Sequence, residues 1–312
     1  MGLVRSILLA AAQNRWLKEQ APKYRFVQRA VERFMPGERL EDAMAAAKVL
    51  EAAGMGTVFT HLGENVTDAR EAASVAEHYV EVLRRVRAAD LGTEVSVKLT
   101  HLGLDLSAEL CMENLERVVQ AAKEESGRGT VWIDMEASGY VDRTLEIFRR
   151  TRRKHENAGV CLQAYLYRTK NDLDELMGME PAIRLVKGAY QESADVAYPR
   201  KQDVDTNFFA LAKRMLEAKG RGEKVRAAMA THDAALIRKI QEESKRAGAG
   251  RKEFEFQMLY GIQREEQRRL AREGWNSAVL VAYGNYWYPW FMRRLAERPA
   301  NVMFAVRNMI GN

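Results

Sequence analysis

Two adjacent arginines near the carboxyl end, Arg293 and Arg294, carry the plainest chemistry in the chain. They sit in Trp287-Tyr288-Pro289-Trp290-Phe291-Met292-Arg293-Arg294-Leu295-Ala296-Glu297, a helix-compatible run that follows a turn at Gly284 and is stopped by Pro299. In a helix Glu297 lies four residues from Arg293 and three from Arg294, so the three charges share the end of one face. Paired guanidinium groups grip a carboxylate in planar, bidentate fashion. A solvated charged face uses the same residues, so the pattern needs support from elsewhere in the chain.

That support comes from polar residues in or just after short apolar runs: His61 and Glu64, Lys98, Asp134 and Glu136, Gln163, Arg184 and Lys187, His232 and Asp233, and Gln257. Burying such groups is costly unless each faces a partner or a ligand. Repetition of the pattern at one end of several runs is hard to explain as packing. The cations Lys98, Arg184, Lys187, Arg293 and Arg294 suit anionic groups, such as a carboxylate together with a phosphate-bearing cofactor. Gly188 and Ala189 follow Lys187 with little side-chain bulk, so their backbone N–H groups could approach a pyrophosphate. Isolated histidines, with no second histidine at ligand spacing, argue against a metal. No GxSxG elbow and no Cys/His pair offers a nucleophile.

The elements that must position these residues repeat a rhythm. Eight runs read as strands: 56–60, 94–99, 130–134, 160–165, 182–187, 225–230, 254–259 and 277–281. Helical patterns separate most of them. Ala72, Val75, Ala76, Tyr79, Leu83 and Val86 recur at three and four residues behind a Thr67 N-cap, and Ser107 caps a run carrying Cys111, Leu115, Val118, Val119 and Ala122. Eight β-then-α units imply parallel strands with right-handed crossovers, and eight strands close a barrel. The expected fold is therefore an α/β (βα)8 barrel. An open doubly wound sheet is disfavoured because no GxGxxG or GxxxxGK[ST] loop follows any strand. Residues 1–53 read as a helical arm ending at Gly54, and 54–312 as the barrel.

The 312 residues are 47% apolar and 29% charged with a net charge of +6, ordinary for a globular protein. No basic block or nucleic-acid motif accompanies that charge, so nucleic acid is not an expected partner. Two isolated cysteines, Cys111 and Cys161, fit a reducing compartment. No run approaches the length of a membrane span. The reading is a cytoplasmic protein whose basic surface suits a peripheral visit to the inner face of a membrane.

Three blocks now gain weight together: Arg184-Leu185-Val186-Lys187-Gly188-Ala189-Tyr190, Phe254-Glu255-Phe256-Gln257-Met258-Leu259-Tyr260-Gly261, and Arg293-Arg294-Leu295-Ala296-Glu297-Arg298-Pro299-Ala300-Asn301. They resemble the signature blocks of FAD-dependent proline dehydrogenases. Ser96-Val97-Lys98-Leu99, Ile133-Asp134-Met135-Glu136, Leu162-Gln163-Ala164-Tyr165 and Ala230-Thr231-His232-Asp233 fit the same pattern in the same order. The resemblance, to the monofunctional bacterial type, implies a distorted barrel with FAD at the carboxyl ends of the strands and the last helix over the mouth. It implies oxidation of L-proline to Δ1-pyrroline-5-carboxylate by hydride transfer to flavin N5, with a quinone as acceptor.

Carried over by position, Arg293, Arg294 and Lys98 would hold the substrate carboxylate, with Asp134 orienting them. Arg184 would donate towards flavin N5 and Gln163 would bond the pyrimidine edge. Lys187, Gly188, Ala189 and His232 would lie near the phosphates, and Thr231 and Glu297 would help hold the adenosine end or the last helix. Glu64 would pair with Arg293 as a lid, and Tyr190 would wall the pocket. Two positions depart from the family pattern: Leu280 stands where a tyrosine usually packs on the proline ring, and Trp290 replaces another aromatic hydroxyl. Tyr283 is a neighbouring candidate for the lost tyrosine. These departures admit 4-hydroxyproline, pipecolate or another cyclic amino acid as substrate. A barrel acting on a phosphorylated substrate without flavin, or a flavin-binding barrel without turnover, uses many of the same residues.

Overall fold

The computed structural model describes Asn14, Trp16, Gln20, Tyr24 and residues 31–126 and 129–297. Its eight apolar runs are parallel strands closed into a barrel in chain order, with β1 paired to β8. The strands are β1 (Gly56–His61), β2 (Glu94–Val97), β3 (Val131–Ile133), β4 (Ala158–Gln163), β5 (Ala182–Val186), β6 (Arg226–Ala230), β7 (Phe254–Leu259) and β8 (Asn276–Tyr283). Between and around them run α1 (Leu40–Ala52), α2 (Ala69–Ala88), α3 (Ala108–Ser126), α4 (Val141–Lys154), α5 (Thr169–Met177), α6 (Lys201–Gly220), α7 (Ala234–Ala247), α8 (Arg264–Arg272) and α9 (Trp287–Glu297).

Side chains alternate across each strand. The outward set, including Phe59, Val97, Ile133, Leu185, Met229, Met258 and Val281, is buried against the amphipathic helices and forms the main core. Thus α2 buries Ala72, Val75, Ala76, Tyr79, Val82, Leu83 and Val86, the stripe its spacing predicts. Its N-cap is Asp68, not Thr67: the carboxylate accepts from the N–H groups of Arg70 and Glu71. A carboxylate also answers the positive end of the helix dipole, which a hydroxyl does not. Ser107 does cap α3, its Oγ accepting from the N–H groups of Glu109 and Leu110.

The arm is not helical throughout. Residues 33–39 form turns and bends around Pro36-Gly37, where proline and glycine interrupt the helical repeat. Its last helix, α1, joins the barrel wall: it packs against β1 and β8 and buries Leu40, Ala43 and Ala47 in the main core. The helix that follows β8 is therefore released from the wall. α9 lies instead at the carboxyl ends of the strands, packing Trp287, Tyr288, Trp290, Phe291 and Leu295 with Leu62, Ala282 and Ile262, and with Val31, Phe34 and Met35 of the arm. This is the helix over the mouth that the fold expectation included. Pro299, its expected stop, lies outside the described residues.

Candidate active site

Inward-facing positions at the carboxyl ends of the strands behave differently from their outward neighbours. Lys98, Asp134, Val186, Ala230, Leu259 and Leu280 are half-buried, whereas Val97, Leu185, Met229, Met258 and Val279 are buried. Accessible inward residues with buried outward ones describe a cavity open at the mouth and roofed by α9.

The cavity floor carries a charged network. Asp134, just past β3, accepts from Lys98 Nζ (3.3 Å), Ser96 Oγ (2.7 Å) and Arg184 Nη1 (3.1 Å). Arg184 Nη1 also donates to Ser96 Oγ (2.8 Å) and lies 3.7 Å from Cys161 Sγ. Burial pushes the Asp134 carboxyl up, but the Lys98 and Arg184 cations and the Ser96 hydroxyl outweigh it, and the group is held below its ordinary value. It is ionised at neutral pH. Burial pushes the Cys161 thiol up to about 12, so it stays protonated. Two cations sharing one carboxylate leave the floor with a positive surplus.

Several buried inward-facing side chains have unsatisfied atoms, Arg184 and Gln163 among them. Arg184 is 2% exposed, yet its Nε and Nη2 have no hydrogen-bond partner. Gln163 donates from Nε2 to the carbonyls of Met135 (3.2 Å) and Glu136 (3.0 Å), which fixes the amide's orientation and leaves Oε1 buried without a donor. A buried guanidinium edge and a buried acceptor left open cost about 1–3 kcal/mol each unless a ligand meets them. A ligand that accepts beside Arg184 and donates beside Gln163 would satisfy both.

Above the floor, α9 presents Trp290, Arg293 and Arg294 on one face by their spacing. Arg293 reaches across the mouth and binds Glu64 through both terminal nitrogens, each at 3.2 Å. It also sits 5.6 Å over the Tyr190 ring, while Arg294 lies 5.7 Å over Trp290. Arg293 thus joins α9 to the loops after β1 and β5. Glu297 is the last described residue of α9.

The phosphate-side residues are more heavily tied than their sequence suggests. Lys187 Nζ is paired with Asp205 and with Asp233 (3.3 Å), so an anion there would have to displace carboxylates. Gly188 has φ +112°, and a Cβ would fall 2.3 Å from the Tyr165 ring, which excludes any other residue. Ala189 follows it, half-buried. Thr231 Oγ1 accepts from Asp233 N (3.2 Å), and His232 Nε2 accepts from Leu259 N (2.9 Å), which places the ring proton on Nδ1.

Some strand-tip residues turn away from the cavity. Glu136 accepts from Thr100 N and Oγ1, tying the loop after β3 to that after β2. His61 packs against His78, His101 and Tyr283 on the outer rim. Gln257 donates downward to Glu255. Tyr283 is buried and binds His78 Nε2 (2.8 Å), so it does not replace the missing tyrosine; Leu280 holds that inward place. Conversely, Ser96 and Cys161 join the network although sequence reasoning gave them no role. Both lie two residues before a singled-out position, Lys98 and Gln163, and so face the same way.

Comparison with known proteins bears on the family and the fold. The family model described as proline dehydrogenase matches residues 43–307. "Proline dehydrogenase 1" of Bacillus subtilis subsp. natto is 37% identical over 308 residues, covering 99% of both chains. "Proline dehydrogenase" of Deinococcus radiodurans is 39% identical over 284 residues, covering 89% of both. Among solved structures, proline utilization A from Bdellovibrio bacteriovorus superposes with a TM-score of 0.79 at 23% identity, over 95% of this chain and 36% of that one. The chain thus spans about a third of that protein, and the likeness is one of fold.

Proposed function

The chain belongs to the proline dehydrogenase family and is an oxidoreductase acting on proline; from that premise we propose that it oxidises L-proline to Δ1-pyrroline-5-carboxylate with FAD held in the barrel mouth. The observation that carries the cofactor assignment is the pair of unsatisfied buried groups, Arg184 and Gln163, at the base of a cavity with surplus positive charge. Their open donor edge and open acceptor suit the N5 side and the pyrimidine N–H of an isoalloxazine.

FAD, when bound, would accept hydride from the ring carbon beside the proline nitrogen and pass the electrons on to a quinone. The chain's own residues do the rest. Lys98, Arg293 and Arg294 hold the substrate carboxylate, and Asp134 keeps Lys98 and Arg184 in place. Arg184 stabilises negative charge through its open edge, from a buried position where a fixed donor is worth more than in water. Loss of the ring hydride and the amine proton forms the C=N bond, and no residue here needs to act as base. Gln163, Lys187, Gly188, Ala189, Thr231, His232 and Glu297 are the groups proposed along the cofactor. Tyr190, Trp290 and Leu280 wall the substrate, and Glu64 closes over it through Arg293.

Leu280 favours a second reading of substrate choice. A leucine facing inward cannot give a hydroxyl to the pocket, and such changes shift discrimination by about 1–3 kcal/mol. 4-Hydroxyproline or pipecolate then competes with proline. Passage of electrons to a quinone would bring the basic surface to a membrane; no helix among the described residues is long and apolar enough to cross one. The test is anaerobic titration of FAD-loaded protein with L-proline, 4-hydroxyproline and pipecolate. Bleaching of the yellow flavin by L-proline is expected. Protein that cannot be loaded with FAD, or flavin that dithionite bleaches while no cyclic amino acid does, would overturn the reading.

A further inference from the structure

Beneath Arg184 lies an indole that neither the reaction nor the comparisons assign. Trp132, on β3, is fully buried inside the barrel. Room has been made for it: the inward residues around it are Val58, Ala182, Ala228 and Ala278. Its register partner on β4 is Gly159, where a Cβ would fall 2.8 Å from the indole. One large side chain among small ones spans the barrel and divides its interior into two storeys.

Two guanidinium groups lie over that divider. Arg184 lies 4.6 Å from the ring centroid and Arg226 5.0 Å. The lower storey is acidic. Arg226 is bound by Glu94 and Glu255, and Trp132 Nε1 itself donates to Glu94 (2.8 Å). Burial and Glu94 push Glu255 up while Arg226 opposes them. In a low-dielectric interior a carboxylate attracts a second nearby cation even when it already pairs with one, as Glu94 does with Arg226. Arg184 is such a cation, only partly balanced by Asp134.

We propose that Trp132 is a positioning residue that holds Arg184 up in the active-site storey, with its Nε and Nη2 edge open to the ligand, and prevents it from sinking onto Glu94. The ring supplies a face on which the guanidinium stacks and a volume through which it cannot pass. Because the open edge of Arg184 is the proposed contact to flavin, this rests on the functional reading above and extends it to a residue that touches neither substrate nor cofactor.

The test uses full-length, FAD-loaded protein and reads the midpoint potential of the bound flavin with the anaerobic rate of its reduction by L-proline. For Trp132→Leu the expected result is a tenfold loss in the two-electron reduction equilibrium, which is about 30 mV more negative. Flavin reduction should slow about tenfold with little change in the proline concentration at half-saturation. Trp132→Phe keeps the spacer and should stay near wild type. In an Arg184→Met background, Trp132→Leu should add no further shift, because the group it positions is gone. If Trp132→Leu fails to fold, Trp132→Met, which keeps most of the volume without the ring face, carries the same prediction. A wild-type potential in the folded variant, or a shift that persists without Arg184, overturns the proposal. Wild-type protein that takes up no flavin would instead defeat the functional reading beneath it.

Discussion

Arg226 and Arg184 both lie over one indole inside the same barrel, on adjacent strands and one inward position apart, yet their surroundings differ in kind. Arg226 is bound by two carboxylates and by the Thr130 hydroxyl. Arg184 shares a single carboxylate with Lys98 and has two buried nitrogens with no partner. The charged groups of the lower network, Arg226, Glu94 and Glu255, are paired with one another; the upper guanidinium is satisfied only with something added. Folding alone would not favour leaving donors unsatisfied in the interior. The incompleteness therefore marks the upper network as the one built for a ligand, and the closed lower network as scaffold.

Breaking the lower network should cost stability. Arg226→Met leaves Glu94 and Glu255 buried without their cation and should destabilise the fold by roughly 3–5 kcal/mol. The check is a lowered Tm with a near-normal rate of flavin reduction per bound flavin in the molecules that remain folded. A stable but slow variant would place Arg226 in the chemistry and erase the contrast. In the upper network, Arg294→Met should leave flavin content intact and raise the proline KM by about 10- to 100-fold, as expected from losing a charged hydrogen bond of roughly 1.5–3 kcal/mol. Unchanged kinetics would remove Arg294 from the carboxylate site.

Acid should strain the upper rim. Burial depresses His61 to about 4 and His101 to about 3, with His78 and Lys98 among the neighbours adding to it. From about pH 6.5 downward the unfolded chain takes up protons that these rings refuse in the fold. Stability should therefore fall by up to about 1.4 kcal/mol per pH unit for each histidine until its folded value is reached. Thermal melts between pH 7 and 4 check this, and His101→Gln should flatten the slope; an equal slope in that variant would exclude the rim as its source. The smallest effect belongs to Glu64→Gln. It keeps a hydrogen bond to Arg293 but loses the charge, so a change in proline KM of roughly fivefold is expected, about 1 kcal/mol. A loss as large as that of Arg294→Met would mean that Glu64 does more than hold Arg293.

The barrel was legible because β-branched runs and amphipathic stripes mark strands and helices one at a time, and eight such units admit few closures. The N-cap of α2 was missed by one residue because Thr67 and Asp68 are both good caps, and only the fold shows which reaches the open N–H groups. Lys98, Asp134, Arg184 and Gln163 stood out as polar residues in apolar runs. The same signal also drew in Glu136, His61 and Gln257, because a place near a strand tip does not say which way a side chain turns. Ser96, Cys161 and Trp132 were overlooked for the opposite reason: a small hydroxyl, a thiol and an indole read as ordinary strand residues. Their roles emerge only when alternation and register bring β2, β3, β4 and β5 together. Glu64 and Arg293 stand 229 residues apart, and only family resemblance could have joined them.

The most direct test of the contrast is the single-turnover rate of flavin reduction by L-proline, measured anaerobically in wild type and in Arg184→Met at equal flavin occupancy. Removing a fixed, buried donor is expected to slow the step about 10²- to 10³-fold, with a Tm close to wild type. An unchanged rate, or a slowing explained entirely by lost flavin or lost fold, would contradict the assignment of the open guanidinium to the reaction.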